Sequence, residues 1–226
     1  NEYTGCTGGP VLLPVNVGWS DVGGSSFGQV GPVTTIVKPL DDSQLLSAQA
    51  AIVPFSFVVG NAVQKVSGGQ VQGKVTSLSH YQVEALLSRQ ATDWRQLGLG
   101  TAPVNPDGSP AAVGTAADAT SPVSLCLRTA GSGTKAALDQ TVMLTATETP
   151  SGSTVLTNPA DGVYFGQSNQ DVADCIVGNT GAGRPAHTKG FGYMEADQAF
   201  SLVDSPAVGV SKGYEVRMDG FKARAL

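Results

Sequence analysis

Charge is scarce in this sequence. Asp, Glu, Lys and Arg together make up 14% of its 226 residues, and 13 basic against 18 acidic side chains leave a formal net charge of −5. That balance excludes a general nucleic-acid or anionic-membrane surface, which needs a basic face to neutralise phosphates. It does not exclude one small anion, because a buried anion site uses backbone N–H groups and one or two cations whatever the net charge. Histidine is nearly absent, with His80 in a polar stretch and His187 in a Gly/Pro-rich one, both read as surface residues. No G-x-S-x-G elbow accompanies them, so a serine-hydrolase set is missing and the chain reads as a non-enzyme. Cys6, Cys126 and Cys175 form no CxxC and have no neighbouring His pair, so no zinc site and no other metal site is expected. An odd number of cysteines allows at most one internal disulfide, and the sequence does not say which pair forms it.

Long apolar runs are missing too. None reaches the roughly 18 residues of a membrane-spanning helix. The opening Asn1-Glu2-Tyr3-Thr4-Gly5-Cys6 has neither the basic nor the apolar region of a signal peptide. The expectation is an exported protein whose leader is absent from this sequence, or part of a longer product. Gly178 to Gly190 is glycine-rich but lacks the GK[ST] ending of a phosphate-binding loop, and it reads as a loop. No cofactor motif and no internal repeat is visible.

What is abundant is apolar and small: 41% hydrophobic residues and 29 glycines, a globular rather than a disordered profile. Short β-rich runs alternate with amphipathic segments. Strands are expected at Val15–Asp21, Val33–Val37, Ala51–Val59, Val123–Leu127, Phe191–Met194 and Tyr214–Met218. Pro54 suggests that its strand lies at an edge or bends. Asn61–Lys74 reads as a crossing or hairpin, and Asp93–Leu97 as a turn anchored by Trp94. Helices are expected at Gln44–Ala50, from Ser79 onward with Ser79 as cap, and at Lys135–Leu144, Asn169–Val177 and Ala196–Leu202. Residues 99–122 show no periodicity and read as a long surface loop. This order argues for α/β lobes with largely parallel sheets flanked by helices.

The sharpest local feature is a strand, then Arg128-Thr129-Ala130-Gly131-Ser132-Gly133-Thr134, then a helix. Glycines allow a tight turn and close backbone approach. The first-turn N–H groups point at the same spot, with the positive end of the helix dipole behind them. Ser132 and Thr134 add hydroxyls, and Arg128 adds a planar fork suited to tetrahedral oxyanions. The competing reading is that Ser132 and Thr134 only cap a helix. A second feature is Trp19-Ser20-Asp21 at a strand's carboxyl end, where open α/β sheets bind ligands. Its competing reading is a turn-forming aspartate.

Gly18 to Asp21, Pro54 to Asn61, Val83 to Leu97 and Arg128 to Thr134 resemble, in that order, segments of the phosphate-binding proteins of ABC importers. Gly190 to Glu195 and Tyr214 to Gly220 resemble two later strands of that family. The resemblance implies the PstS-like, type II periplasmic binding fold: an α/β chain in two lobes, with residues 1–64 and 200–226 in one and 65–199 in the other. It implies a small inorganic oxyanion as ligand, held between the lobes by Arg128, Ser132, Gly133 and Thr134 on one side and Ser20 and Asp21 on the other. Thr7 and Trp19 are weaker candidates. Other implied partners are an importer permease or neighbouring copies of the chain. Where the family has an aspartate in the loop, this sequence has Ala130. Loss of that charge-assisted hydrogen bond is worth about 10- to 100-fold in affinity, which sets phosphate specificity in question. Segments at both ends of the family's fold are missing from this sequence. They motivate an alternative function: an extracellular structural or assembly protein completed by neighbouring chains, its anion site vestigial.

Overall fold

The computed structural model describes residues 2–3, 11–12, 53–129, 132–143, 162–178, 189–203 and 212–221. The elements in chain order are β1 (Glu2–Tyr3), β2 (Val11–Leu12), β3 (Phe55–Gly60), β4 (Val63–Ser67), β5 (Gln70–Lys74), β6 (Ser77–Leu78) and α1 (His80–Leu87). After them come a short 3-10 turn (Trp94–Leu97), β7 (Leu99–Thr101), β8 (Ser124–Arg128) and α2 (Gly133–Ala137), which runs into a π turn (Leu138–Val142). The last are β9 (Val163–Gly166), α3 (Asn169–Val177), β10 (Gly190–Glu195), α4 (Ala196–Leu202) and β11 (Gly213–Met218). The strand expectations at Val15–Asp21 and Val33–Val37 and the helix at Gln44–Ala50 lie outside the described residues.

Six strands form the central sheet in the order β6-β11-β3-β10-β8-β9. Five run in one direction; β3 alone is antiparallel to its neighbours β10 and β11. The sheet is therefore mainly parallel, as the alternation of strand and helix suggested. Side chains alternate between its two faces. Phe57, Val59, Leu125, Leu127, Phe191 and Tyr193 join the larger core with Val83, Leu86 and Leu87 of α1 and Leu138 of the π turn. Val58, Cys126 and Met194 face the other way, toward Val172, Ala173 and Ile176 of α3 and Ala199 of α4. Helices cover both faces. Gly190 shows how closely: a Cβ there would stand 2.5 Å from the Cα of Ile176. Across the same contact Cys126 and Cys175 are disulfide-bonded, so the leftover thiol of the sequence is Cys6.

Beside this sheet, β4 and β5 form the expected hairpin, with Gly68 and Gly69 at φ 58° and 75° supplying the left-handed pair that a two-residue turn requires. β7 completes a three-stranded sheet, order β5-β4-β7. The buried Tyr214 hydroxyl donates to the Val63 carbonyl and accepts from the Val75 N–H, joining the two sheets.

Three expectations need correction. Pro54 marks neither an edge nor a bend, because β3 starts one residue later and lies in the middle of the sheet. Residues 99–122 are not all surface loop. Thr101 and Ser121 are fully buried, and the segment is held by Thr101 to Asp118 at 2.7 Å, the Lys189–Asp118 ion pair and the Ser121 contact to Asp93. These anchors are polar, so a search for apolar periodicity passes over them. The helix expected over Lys135–Leu144 begins two residues earlier and loosens into a π turn at Leu138.

The expected lobe divisions at 64/65 and 199/200 fall inside β4 and inside α4, and β3 and β11 belong to the sheet that also holds β8 and β10. Residues 1, 4–10, 13–52, 204–211 and 222–226 of that expected first lobe lie outside the described residues. Among the described residues no helix is long and apolar enough to cross a membrane, and no cluster of His, Cys, Asp or Glu could hold a metal.

Candidate functional site

The carboxyl ends of β6, β8, β9, β10 and β11 and the start of β3 make up one edge of the central sheet. Ligands of open α/β sheets gather at such an edge. Arg128 closes β8 there, and Ser132, Gly133 and Thr134 follow in the turn and the first residues of α2.

Ser132 is the N-cap residue, in extended conformation (φ −76°, ψ 132°), and its hydroxyl makes no cap hydrogen bond. The first intrahelical bond is Ala136 N–H to Ser132 C=O at 3.0 Å, so the N–H groups ahead of it have no partner within the helix. Thr134 is 2% exposed, and its Oγ1 is buried with no hydrogen-bond partner. The competing reading of Ser132 and Thr134 as simple capping residues therefore fails at the side-chain level: neither hydroxyl caps. The adjacent Lys135 is not free for a ligand. Its Nζ ion-pairs with Asp139 at 2.9 Å, both side chains 4% exposed. Burial raises the Asp139 carboxyl above its ordinary range, with Lys135 opposing that rise.

Arg128 is placed differently from the sequence reading. Its fork is turned toward the start of α3: Nη1 donates to Asn169 Oδ1 at 2.8 Å and Nη2 to the Gln167 carbonyl at 3.0 Å. Nε is buried with no partner. Asn169 is held in turn by its Nδ2 donating to Glu195 Oε2 at 3.0 Å. Asn169 and Glu195 were missed as site residues. Glu195 carried a usable signal, since it ends a strand as Asp21 was expected to. Asn169 carried none, because the first residue of a capped helix needs no further explanation. Capping itself is supplied by Ser168, which forms a reciprocal box with Asp171.

Ala130 and Gly131 of the loop lie outside the described residues, as do Thr7, Trp19, Ser20 and Asp21. The described residues thus bring together Arg128, Ser132, Gly133 and Thr134 at one sheet edge, and the opposing group rests on the sequence alone.

No family model matches the chain, and no curated protein does. Solved structures similar to it include an ABC-type phosphate transport receptor from Vibrio cholerae (16% identity, 82% of this chain and 56% of that one, TM-score 0.48). PstS from Borrelia burgdorferi is another (10% identity, 75% and 49%, TM-score 0.47). A third is a phosphate-binding protein from Stenotrophomonas maltophilia (14% identity, 80% and 46%, TM-score 0.41). The chain spans about half the length of these proteins.

Proposed function

We propose that the chain is the ligand-binding part of an exported solute-binding protein, taking a small oxyanion at the carboxyl edge of its central sheet and handing it to an importer permease. One observation carries this reading: Arg128 Nε and Thr134 Oγ1, on either side of the same turn, are both buried without a partner. A buried polar group left unpaired costs about 1–3 kcal/mol, so two in one place mark where an acceptor belongs. Ser132 adds a hydroxyl not used in capping, and the adjoining N–H groups add backbone donors. The Cys126–Cys175 disulfide supports export, because such bonds persist in oxidising compartments. Ser20 and Asp21, with the adjacent Trp19 and the earlier Thr7, are proposed as the opposing wall of a cleft between two lobes.

Calorimetry with phosphate, sulfate and other tetrahedral oxyanions tests the reading. Saturable binding is expected, weakened about 10- to 100-fold by Thr134→Val, which deletes the hydroxyl and keeps the shape. Because that hydroxyl has no protein partner, the substitution should leave thermal stability unchanged or raised. Failure of the folded protein to bind any tetrahedral oxyanion would sink the proposal.

A further inference from the structure

A second feature of the same sheet edge has a chemistry opposed to an anion site. A pocket of about 410 Å³ opens beside the start of β3, lined by Phe55, Phe57, Tyr193, Met218 and Phe221, with Thr141 and Val142 of the π turn among the remaining wall residues. Its size falls within the range of small-molecule sites. Phe55 and Tyr193 stack with centroids 5.1 Å apart, and Phe57 lies tilted against Tyr193 at the same distance.

One charged residue, Asp219, is found among those lining the pocket. It occupies a two-residue turn in which Met218 and Phe221 exchange backbone hydrogen bonds of 3.1 and 2.9 Å. Asp219 and Gly220 both have positive φ, 49° and 84°. The turn is tied to the body of the protein by Asp219 N–H to the Leu78 carbonyl, Gly220 N–H to Ser77 Oγ, and His80 N–H to Asp219 Oδ1. Oδ2 of Asp219 accepts no hydrogen bond from the described residues. The turn also presents Phe221, 82% exposed, at the mouth of the pocket.

We propose that this pocket binds a small organic cation with an apolar body, of the quaternary ammonium or aromatic amine class. Aromatic faces carry the negative end of the ring quadrupole and attract such cations, and desolvation by apolar walls strengthens the attraction. Asp219 supplies the matching charge. A neutral aromatic gains nothing from the carboxylate, and an anion is repelled by it, so the pocket is distinct in its ligand from the turn after Arg128.

The probe is benzyltrimethylammonium, titrated by calorimetry into the whole chain, with benzyl alcohol and benzoate as neutral and anionic comparisons. Saturable binding of the cation alone is expected, unaffected by phosphate. Asp219→Asn should weaken it about tenfold. Asparagine keeps an acceptor for the His80 N–H and tolerates positive φ, so the turn survives. Phe221→Ala, at a side chain outside the core, should weaken binding severalfold with an unchanged melting temperature. The proposal is overturned if the cation does not bind, if benzyl alcohol binds as tightly, or if both variants bind the cation as the parent does.

Discussion

At Asp93 a single carboxylate receives four hydrogen bonds. Oδ1 accepts from the N–H and Nε of Arg95, and Oδ2 from Arg95 Nη2 and the Ser121 N–H. The Arg95 contacts hold its carboxyl well below the usual carboxylate range, against a smaller opposing effect of burial. The sign follows from linkage: a carboxyl with a depressed folded-state pKa contributes stability above its unfolded value of about 4, and that stability is lost as pH falls below it. Asp93→Asn should therefore lower the melting temperature at pH 7 and flatten its decline between about pH 4 and pH 2. Asp93→Ala, which also deletes the cap of the 3-10 turn, should cost about 1–2 kcal/mol in chemical denaturation. Equal losses at pH 7 and pH 2.5 would show that charge has no part in the effect.

Elements were legible where a local rule fixes them. Ser79 caps α1 with a full box, its hydroxyl accepting from the Gln82 N–H while Gln82 reaches back to the Ser79 N–H. α3 and α4 begin and end where their apolar spacing placed them. The π turn was not legible, since its apolar positions fit an ordinary helix as well. Nor was the direction of the Arg128 fork, which depends on Asn169 and Gln167, far along the chain. The disulfide belongs to the same class of hidden information: Cys126 on β8 and Cys175 on α3 are 49 residues apart in sequence and 5.8 Å apart at Cα. Only the packing of α3 on the sheet brings them together. Both cysteines are fully buried, so a reductant should leave the folded protein oxidised until it unfolds. Replacing both with alanine should lower unfolding free energy by about 2–4 kcal/mol in denaturant titrations. An unchanged midpoint would mean that the bond adds nothing to a contact already closed by packing.

Across the whole molecule, the strand order was the least legible feature, because β3 lies between partners from the far end of the chain. The alternation of strands and helices gave the class, and the sheet alone shows the single reversed strand. In the described residues both edge strands of the central sheet are short, β6 with two residues and β9 with four. The order also decides when the protein can fold during its own synthesis. Val59 pairs with Phe191 and with Tyr214, so the two flanks of β3 arrive only after most of the chain has been made. A chain truncated after Val203 keeps β10 but lacks β11 and should remain protease-sensitive; one extended through Phe221 should gain protection. Pairings so distant in sequence also make folding slow. A ribosome extending this chain thus holds the segment of β3 unpaired on one side until Gly213–Met218 emerge, an interval during which the central sheet stays open for chaperones to reach.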